Sequence, residues 1–205
     1  QVTYLANGLP DFKNQYSFLW PYSGTLSMMS ALYEANGLPE CLRFIENQVL
    51  PGLESYFDKS REPHGYSSYI TVGTSDRFYD DNIWLAIDFV DLYTLSGEKR
   101  YLEKAQQIWK FVMSGYDDKL NGGIYWCEQK KESKNACSNA PAAVCALKLF
   151  EATGEREYLA IATNLYKWVV SWLYDENEGL FNDNISVLDY KVNKAKYSYN
   201  TGQMI

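Results

Sequence analysis

Two adjacent carboxylates, Asp80 and Asp81, are the side chains of this sequence best suited to acid–base chemistry. They lie in Phe78-Tyr79-Asp80-Asp81-Asn82-Ile83-Trp84, at the start of a run that becomes apolar on nearly every side. Neighbouring residues on a helix have side-chain bases roughly 5 Å apart, and retaining glycosidases hold their two carboxyl groups about 5–5.5 Å apart. The pair therefore has a spacing that suits a nucleophile and a general acid/base.

The same pair also has a purely structural interpretation. Carboxylates at a helix start accept hydrogen bonds from unpaired N–H groups and oppose the helix dipole. Like charges this close split their pKa values, which leaves one carboxyl protonated near neutrality. The helix N-terminus favours the ionised form, whereas desolvation by Phe78, Tyr79 and Trp84 favours the protonated form. The residues alone leave both interpretations open.

Other catalytic groups are scarce. His64 is the one histidine of the chain, so neither Ser-His-Asp nor Cys-His chemistry is expected. The cysteines form no C-x-x-C pair, so zinc is not expected either. A Cys127–Cys137 disulfide across one loop and free buried cysteines both remain open. The four cysteines are Cys41, Cys127, Cys137 and Cys145.

The segment 117–128 has a faint resemblance to a calcium-binding loop. Lys119 occupies a position where such a loop needs an oxygen ligand. No metal and no cofactor is therefore predicted.

The composition limits the partners. Aromatic residues make up 16% of the chain, and many stand beside Asn, Gly and Asp, which suits flat ligands rich in hydroxyl groups such as sugars. A net charge of −7 argues against nucleic acid or an anionic membrane as a partner. No apolar run approaches the roughly 20 residues that span a bilayer. The chain begins Gln1-Val2-Thr3 without an initiator Met, so we expect that a leader was removed.

An internal repeat predicts the architecture. Segments ending at Gly37, Gly97 and Gly154 resemble one another, and these glycines lie 60 and 57 positions apart. Each glycine ends an apolar segment and precedes an amphipathic one, as expected for a helix that ends with a left-handed residue. Three helical hairpins follow from this repeat.

The two helices of each hairpin differ in kind. The first is apolar almost all round, which is typical of a helix buried on most faces, and the second carries an apolar stripe on one side. The predicted inner helices lie near 24–36, 80–95 and 139–153, and the outer helices near 40–57, 98–114 and 155–173. We expect an all-α fold in which outer helices surround inner ones. In the third hairpin, Ser138 or Asn139 should cap a helix whose first turn holds Pro141.

The connections are long on one side only. Segments 58–79, 115–138 and 174–199 lead into the N-termini of inner helices, so they must emerge at the same end, where Asp80 and Asp81 lie. Long loops in a compact domain are usually functional. Residues 197–205 resemble the entry to a fourth inner helix. We therefore expect residues 1–205 to form a single partial domain, about the N-terminal half of an α/α toroid.

Several motifs, in order, make the chain similar to the family-seventy-six glycoside hydrolases, the endo-α-1,6-mannanases. The motifs are Phe78-Tyr79-Asp80-Asp81-Asn82-Ile83-Trp84, Gly122-Gly123-Ile124-Tyr125-Trp126, Lys134-Asn135-Ala136-Cys137-Ser138-Asn139-Ala140-Pro141-Ala142, Thr153-Gly154-Glu155 and Tyr199-Asn200-Thr201-Gly202. Leu19-Trp20-Pro21-Tyr22-Ser23-Gly24 looks like the form found in gut Bacteroidetes. The likeness covers nearly the whole chain.

The resemblance implies a six-hairpin α/α toroid, of which this chain holds three hairpins and the start of a fourth. It implies retaining hydrolysis of internal α-1,6-mannosidic bonds, with Asp80 as nucleophile and Asp81 as general acid/base. It also implies a polysaccharide partner, α-mannan or a manno-oligosaccharide, and export to the periplasm, cell surface or extracellular space. The expected substrate-binding residues are Tyr22, Tyr79, Asn82, Trp126 and Asn139.

Two of these binding residues have structural alternatives, since Trp126 suits the core as well as a sugar ring and Asn139 suits a helix cap. A second function is a mannan-binding protein without catalysis, or an inactive truncated toroid. A third is a related toroid enzyme, a sugar epimerase or unsaturated uronyl hydrolase. Epimerases of that shape generally use several histidines, so this function ranks last.

Overall fold

A computed structural model describes residues 15–205 of the protein, and its helices follow the predicted hairpin order. The helices are α1 (Leu19–Asn36), α2 (Pro39–Phe44), a π-helical segment (Ile45–Val49), α3 (Leu50–Glu54), α4 (Tyr79–Ser96), α5 (Lys99–Met113), α6 (Ala136–Thr153), α7 (Arg156–Leu173) and α8 (Ser198–Gly202). The segments from α2 to α3 run consecutively and form the outer member of the first hairpin. The predicted all-α fold, an α/α toroid arc of three hairpins plus the start of a fourth, is confirmed. Residues 1–3, which suggested a removed leader, lie outside the described residues.

The repeated glycines end the inner helices as predicted. Gly37, Gly97 and Gly154 have φ values of 64°, 73° and 75°, in the left-handed region that residues with a Cβ rarely adopt. The N–H of Gly97 donates to the carbonyl of Tyr93 at 2.8 Å, which closes the last turn of α4. The outer helix then begins two residues after each glycine.

The inner helices lie side by side. Helix α4 packs between α1 and α6, while α5 packs against α4 and α7 against α6. Helices α4 and α6 are buried on most faces, as predicted. Helix α1 is not, because no described element packs on its far side, where Trp20, Met28 and Leu32 are 59%, 58% and 46% exposed.

Short antiparallel strands join the long loops, and the repeat pattern did not predict them. The strands are β1 (Phe57–Asp58), β2 (Gly65–Tyr66), β3 (Ser133–Asn135), β4 (Tyr174–Asp175), β5 (Leu180–Phe181), β6 (Asn184–Ser186) and β7 (Val192–Asn193). They pair as β1–β2, β3–β6–β7 and β4–β5. In the three-stranded sheet β3–β6–β7, Lys134 of β3 lies opposite Ile185 of β6, so the second and third long loops are held together at one end of the bundle.

The start of α6 differs from the prediction. The helix begins at Ala136 rather than near Asn139, and Asn135 precedes it without a side-chain cap. Pro141 is the sixth helical residue, so neither Ser138 nor Asn139 caps the helix. Strand β3 leads directly into the helix, and the N–H of Ala136 donates to the carbonyl of Asp183 at 2.8 Å. The sheet therefore sets the start of this helix, and a cap is not needed.

Candidate active site

A cavity of about 520 Å³ opens at the end of the bundle where the long loops emerge. Aromatic rings form much of its wall, and two carboxyl groups of α4 lie in it. The aromatic residues are Phe18, Trp20, Phe78, Trp84, Trp126, Tyr197 and Tyr199. The polar residues include Asp80, Asp81, Ser133, Asn135, Asp183 and Asn184.

The lining follows the helical repeat. The residue that precedes each inner helix and the second residue of that helix both line the cavity. These pairs are Phe18 and Trp20 for α1, Phe78 and Asp80 for α4, Asn135 and Cys137 for α6, and Tyr197 and Tyr199 for α8. Because the inner helices lie side by side with their N-termini at the same end, equivalent positions converge on one space.

The start of α4 is fixed by the loop that precedes α6. Phe78 is extended, with φ −102° and ψ 135°, and the N–H of Tyr79 donates to the carbonyl of Trp126 at 2.9 Å. A bridge between Phe78 and Cys127 continues this pairing. Asp80 and Asp81 therefore occupy the first turn of a helix whose N-terminus is held in place.

The Asp80 carboxyl is held by two side-chain donors. The indole Nε1 of Trp126 donates to Oδ2 at 3.0 Å, and the Sγ of Cys137 donates to the same oxygen at 3.4 Å. The second oxygen, Oδ1, is buried without a hydrogen-bond partner. Asp80 is thus bound on one side by groups of the loop before α6 and of α6 itself.

The two carboxyls have unequal environments. Burial raises the pKa of Asp80, but the hydrogen bonds from Trp126 and Cys137 and the N–H groups of the first turn oppose that rise. Burial raises the pKa of Asp81 well above its ordinary value, and the negative charge of Asp80 raises it further. No hydrogen bond opposes the rise at Asp81. Asp80 is therefore the more easily ionised of the two carboxyls.

Trp126 lines the cavity together with the two aspartates, as the sequence suggested. Its ring lies 4.8 Å from that of Phe78, centroid to centroid, and 39% of the residue is exposed. The residue thus combines an exposed aromatic ring with an N–H bound to Asp80. The alternative, that Trp126 is a core aromatic, does not agree with this exposure.

Tyr22 and Tyr79 lie outside the cavity lining, in contrast to the predicted substrate contacts. The hydroxyl of Tyr22 donates to the carbonyl of Val49 at 2.9 Å, so the side chain joins α1 to the outer helix. Tyr79 is buried and stacks on Phe111, with ring centroids 5.0 Å apart. Both rings are large apolar groups that the core needs, which explains their position.

Asn82 also departs from the predicted role, because its amide holds the first long loop. Its Oδ1 accepts from the N–H of Tyr66 at 2.7 Å, and its Nδ2 donates to the carbonyl of Tyr66 at 2.9 Å. The same Nδ2 donates to the carbonyl of Phe78 at 2.8 Å. The side chain is fully buried, and its hydrogen-bonding groups are occupied by backbone.

Asn139 repeats this arrangement one hairpin later. Its Oδ1 accepts from the N–H of Ile124 at 2.6 Å, and its Nδ2 donates to the carbonyls of Ile124 and Asn135, both at 2.8 Å. It is neither a helix cap nor part of the cavity lining. In both hairpins an asparagine in the first turns of the inner helix holds the backbone of one loop residue, 16 or 15 positions earlier.

The segment with a calcium-like outline holds an ammonium group instead. The Nζ of Lys134 donates to the carbonyls of Asp117, Lys119 and Gly122 at 3.1, 2.8 and 2.6 Å, and to the Asp117 carboxylate at 2.6 Å. Lys134 is fully buried. A side-chain cation thus occupies the centre of the oxygen-lined loop.

The cysteines are free and buried, so the Cys127–Cys137 disulfide does not form. Instead, Cys127 donates to Gln129 at 3.7 Å, and Cys137 faces Asp80. Of the two alternatives left by the sequence, free buried thiols are confirmed.

Sequence reasoning missed several cavity residues. No place at the site was predicted for Cys137, Trp20 or Tyr199, although all three lie within the motifs that carry the family resemblance. All three occupy the second position of an inner helix, like Asp80. The repeat could have predicted these equivalent positions, but only if the start of each inner helix had been known to within one residue.

Comparison with known proteins identifies relatives for nearly the whole chain. The profile of glycosyl hydrolase family 76 matches residues 5–205. A family 76 mannosidase from Bacteroides thetaiotaomicron VPI-5482 is 34% identical, with a TM-score of 0.84, over 91% of this chain and 53% of its own. A family 76 α-mannanase from Bacteroides thetaiotaomicron is 32% identical, with a TM-score of 0.85, over 92% of this chain and 53% of its own.

A third structure is an inactive variant of an α-1,6-mannanase from Salegentibacter sp. HEL1_6 in complex with α-1,6-mannotriose. Two adjacent aspartates are replaced by asparagine in that variant. It is 30% identical, with a TM-score of 0.77, over 91% of this chain and 52% of its own. No curated protein matches the sequence. The chain spans about half the length of these solved relatives.

Proposed function

The chain belongs to glycosyl hydrolase family 76, and on that premise we propose that it carries the catalytic carboxylates of a retaining endo-α-1,6-mannanase. Asp80 acts as the nucleophile and Asp81 as the general acid/base. The observation that carries this proposal is the pair of adjacent carboxyls in one aromatic-lined cavity, with unequal hydrogen bonding.

The unequal environments support this division of roles. A nucleophile must be ionised, and Asp80 is the carboxyl whose charged form receives hydrogen bonds from Trp126 and Cys137. A general acid must hold its proton near neutrality, and both burial and the charge of Asp80 raise the pKa of Asp81. The helix dipole favours the anionic form at either position, and burial outweighs it at Asp81.

The reaction then proceeds in two steps. Asp80 attacks the anomeric carbon while Asp81 gives its proton to the departing glycosidic oxygen, which forms a glycosyl ester and releases the first sugar product. Asp81, now ionised, takes a proton from water, and that water cleaves the ester. The sugar leaves with its original anomeric configuration, and both carboxyls return to their starting states.

The relatives support the substrate and the residues. One solved relative is an α-1,6-mannanase whose inactive variant has two adjacent aspartates replaced. This chain has two such Asp-Asp pairs, Asp80-Asp81 and Asp117-Asp118. Asp117 is bound to the ammonium of Lys134 in a loop, whereas Asp80-Asp81 lies in the cavity. The cavity pair is therefore the one proposed for catalysis.

The aromatic wall suits a manno-oligosaccharide. Trp20, Trp126, Tyr197 and Tyr199 are between 39% and 59% exposed, and each lines the cavity. Exposed indole and phenol rings offer flat apolar faces beside polar groups, which is what the faces and hydroxyl groups of a pyranose ring require. We place several sugar subsites along this wall, consistent with cleavage inside a chain.

The substrate also suggests the location. Polymeric mannan does not cross membranes, so the proposed enzyme works in the periplasm, at the cell surface or outside the cell. Among residues 15–205, none of the helices has the length and apolar character to cross a membrane.

The test is hydrolysis of unbranched α-1,6-mannan, followed by chromatography of the released oligosaccharides. Wild type should release manno-oligosaccharides, and Asp80→Asn and Asp81→Asn should each lose at least about a hundredfold in rate. Asp118→Asn is the matched control, because Asp118 belongs to the other Asp-Asp pair and is exposed. Equal rates for the Asp80 and Asp118 variants would refute the assignment.

The structure also favours one alternative, a mannan-binding protein without turnover, because the aromatic wall by itself could hold a sugar chain. Calorimetry with α-1,6-mannotriose separates the two. Binding by a wild-type chain that releases no product would support the alternative and overturn the enzymatic proposal for this chain.

A further inference from the structure

Asp80 owes its side-chain hydrogen bonds to two residues that lie outside its own helix. Trp126 belongs to the loop before α6, and Cys137 is the second residue of α6. Both donate to Oδ2, at 3.0 and 3.4 Å. The orientation of Asp80 therefore depends on how the third hairpin packs against the second.

The thiol is a permanent donor at this site. Cys137 is 5% exposed, and burial together with the charge of Asp80 raises its pKa well above that of an ordinary thiol. It therefore keeps its S–H proton over the working pH range and has that proton available for Asp80. A serine at this position would donate a stronger hydrogen bond, and an alanine none.

We propose that Cys137 and Trp126 are positioning residues that hold Oδ2 of Asp80 and favour its ionised form. This inference rests on the proposed role of Asp80 as nucleophile. The two donors keep the carboxylate in one orientation beside Asp81, so that its attack does not require a rotation of the side chain. Loss of either donor leaves Asp80 harder to ionise and less well oriented.

Other ionisable groups surround this contact. Asp81 belongs to the same helix, Asp183 to the segment before β6, and Tyr199 to α8. Burial raises the pKa of Asp183 and of Tyr199, so Tyr199 stays neutral while the carboxyls titrate. A test must therefore separate Asp80 from Asp81 and Asp183.

The first experiment measures the hydrogen bonding of the Cys137 thiol by infrared spectroscopy, and it does not depend on enzymatic activity. The infrared S–H stretching band of Cys137 is obtained as the difference between wild type and Cys137→Ala. Cys145→Ala is the matched control, because Cys145 is a buried, free thiol of the same helix, two turns away, whose sulfur makes no hydrogen bond in the described structure.

The Cys137 band should lie at lower frequency than the Cys145 band and move towards it as Asp80 is protonated on acidification. That movement should disappear in Asp80→Asn and persist in Asp81→Asn and Asp183→Asn. A Cys137 band at the frequency of the Cys145 band, without pH dependence, would overturn the proposal whether or not the chain is active.

The second experiment applies where hydrolysis is measured. Cys137→Ala and Trp126→Phe should move the acidic limb of the kcat/KM profile to higher pH, because each removes a donor to the ionised form of Asp80. Cys137→Ser should restore the wild-type profile, and Cys145→Ala should not change it. An unchanged acidic limb in both donor variants would contradict the positioning role while leaving the mannanase assignment intact.

Discussion

Replacing Asn82 by alanine should destabilise the fold without weakening the binding of α-1,6-mannotriose. The Asn82 amide makes three hydrogen bonds, two buried ones with the backbone of Tyr66 and a partly buried one with the carbonyl of Phe78. Alanine fills less space and offers neither donor nor acceptor. The backbone N–H and carbonyl of Tyr66 then lose their partner inside the protein.

The size of the effect follows from these contacts. Each hydrogen bond contributes about 1 kcal/mol net, and buried groups left unpaired cost more, so the free energy of unfolding should fall by about 3 kcal/mol or more. For a chain of this size, each kcal/mol lowers the melting temperature by about 2–4 °C. We therefore expect a decrease of roughly 6–12 °C.

The assay is thermal unfolding followed by circular dichroism, combined with amide hydrogen exchange. Asn139→Ala should show a similar loss, because its amide holds Ile124 in the same way. Asn164→Ala is the matched control, since Asn164 is an exposed asparagine of α7 and reports the gain in helix propensity alone. Exchange should accelerate at the N–H of Tyr66 in Asn82→Ala and at that of Ile124 in Asn139→Ala.

Two results would refute this reasoning. One is a melting temperature for Asn82→Ala that lies within about 1 °C of the Asn164→Ala value, well below the expected shift. The other is weaker binding of α-1,6-mannotriose at unchanged stability, which would return Asn82 to the substrate-binding role that the family resemblance implies.

Three further predictions concern charged groups. Arg77→Ala should reduce the free energy of unfolding, measured in urea, by about 3–5 kcal/mol, because Arg77 is fully buried and bound to Glu128. A reduction below about 1 kcal/mol would contradict this prediction. Burial raises the pKa of Asp88 to about 7, so the folded protein binds this proton more tightly than the unfolded chain and loses stability as pH rises from about 4 to about 7. Asp88→Asn should therefore raise the melting temperature at pH 8 and leave it nearly unchanged at pH 4, and an equal effect at both would refute the assignment. Lys134→Met should lower the melting temperature measured by differential scanning calorimetry, because the Asp117 carboxylate and three carbonyls lose the ammonium group that they bind. An unchanged melting temperature would contradict this prediction.

The arrangement of hairpins was predictable because it depends on patterns that repeat along the chain. Glycines at Gly37, Gly97 and Gly154 mark the left-handed ends of the inner helices, and a one-sided apolar stripe identifies the outer helix α5. The same repeat showed that the long loops emerge at one end. The position of Asp80 and Asp81 near that end followed directly.

The details of the site depend on contacts between distant segments, which local patterns do not contain. The start of α6 is set by the pairing of β3 with β6, so Pro141 was a misleading signal. Asn82 and Asn139 were both expected to bind substrate, yet their partners are backbone groups of earlier loops. A polar side chain in a motif can serve the fold as readily as the substrate.

The exact first residue of each inner helix could not be predicted from the sequence. An error of three residues in the start of α6 hid the fact that Cys137 occupies the same position as Asp80, at the second residue of an inner helix. With correct starts, the repeat alone indicates that Trp20 and Tyr199 line the cavity as well.

The configuration of the first product tests the central claim most directly. Unbranched α-1,6-mannan is mixed with the protein, and the reducing ends released in the first turnovers are followed by proton nuclear magnetic resonance, before mutarotation mixes the anomers. With Asp80 as nucleophile and Asp81 as acid/base, the α-anomer should appear first, and Asp118→Asn should behave as wild type. Initial release of the β-anomer, or an undiminished rate in Asp80→Asn, would contradict the account.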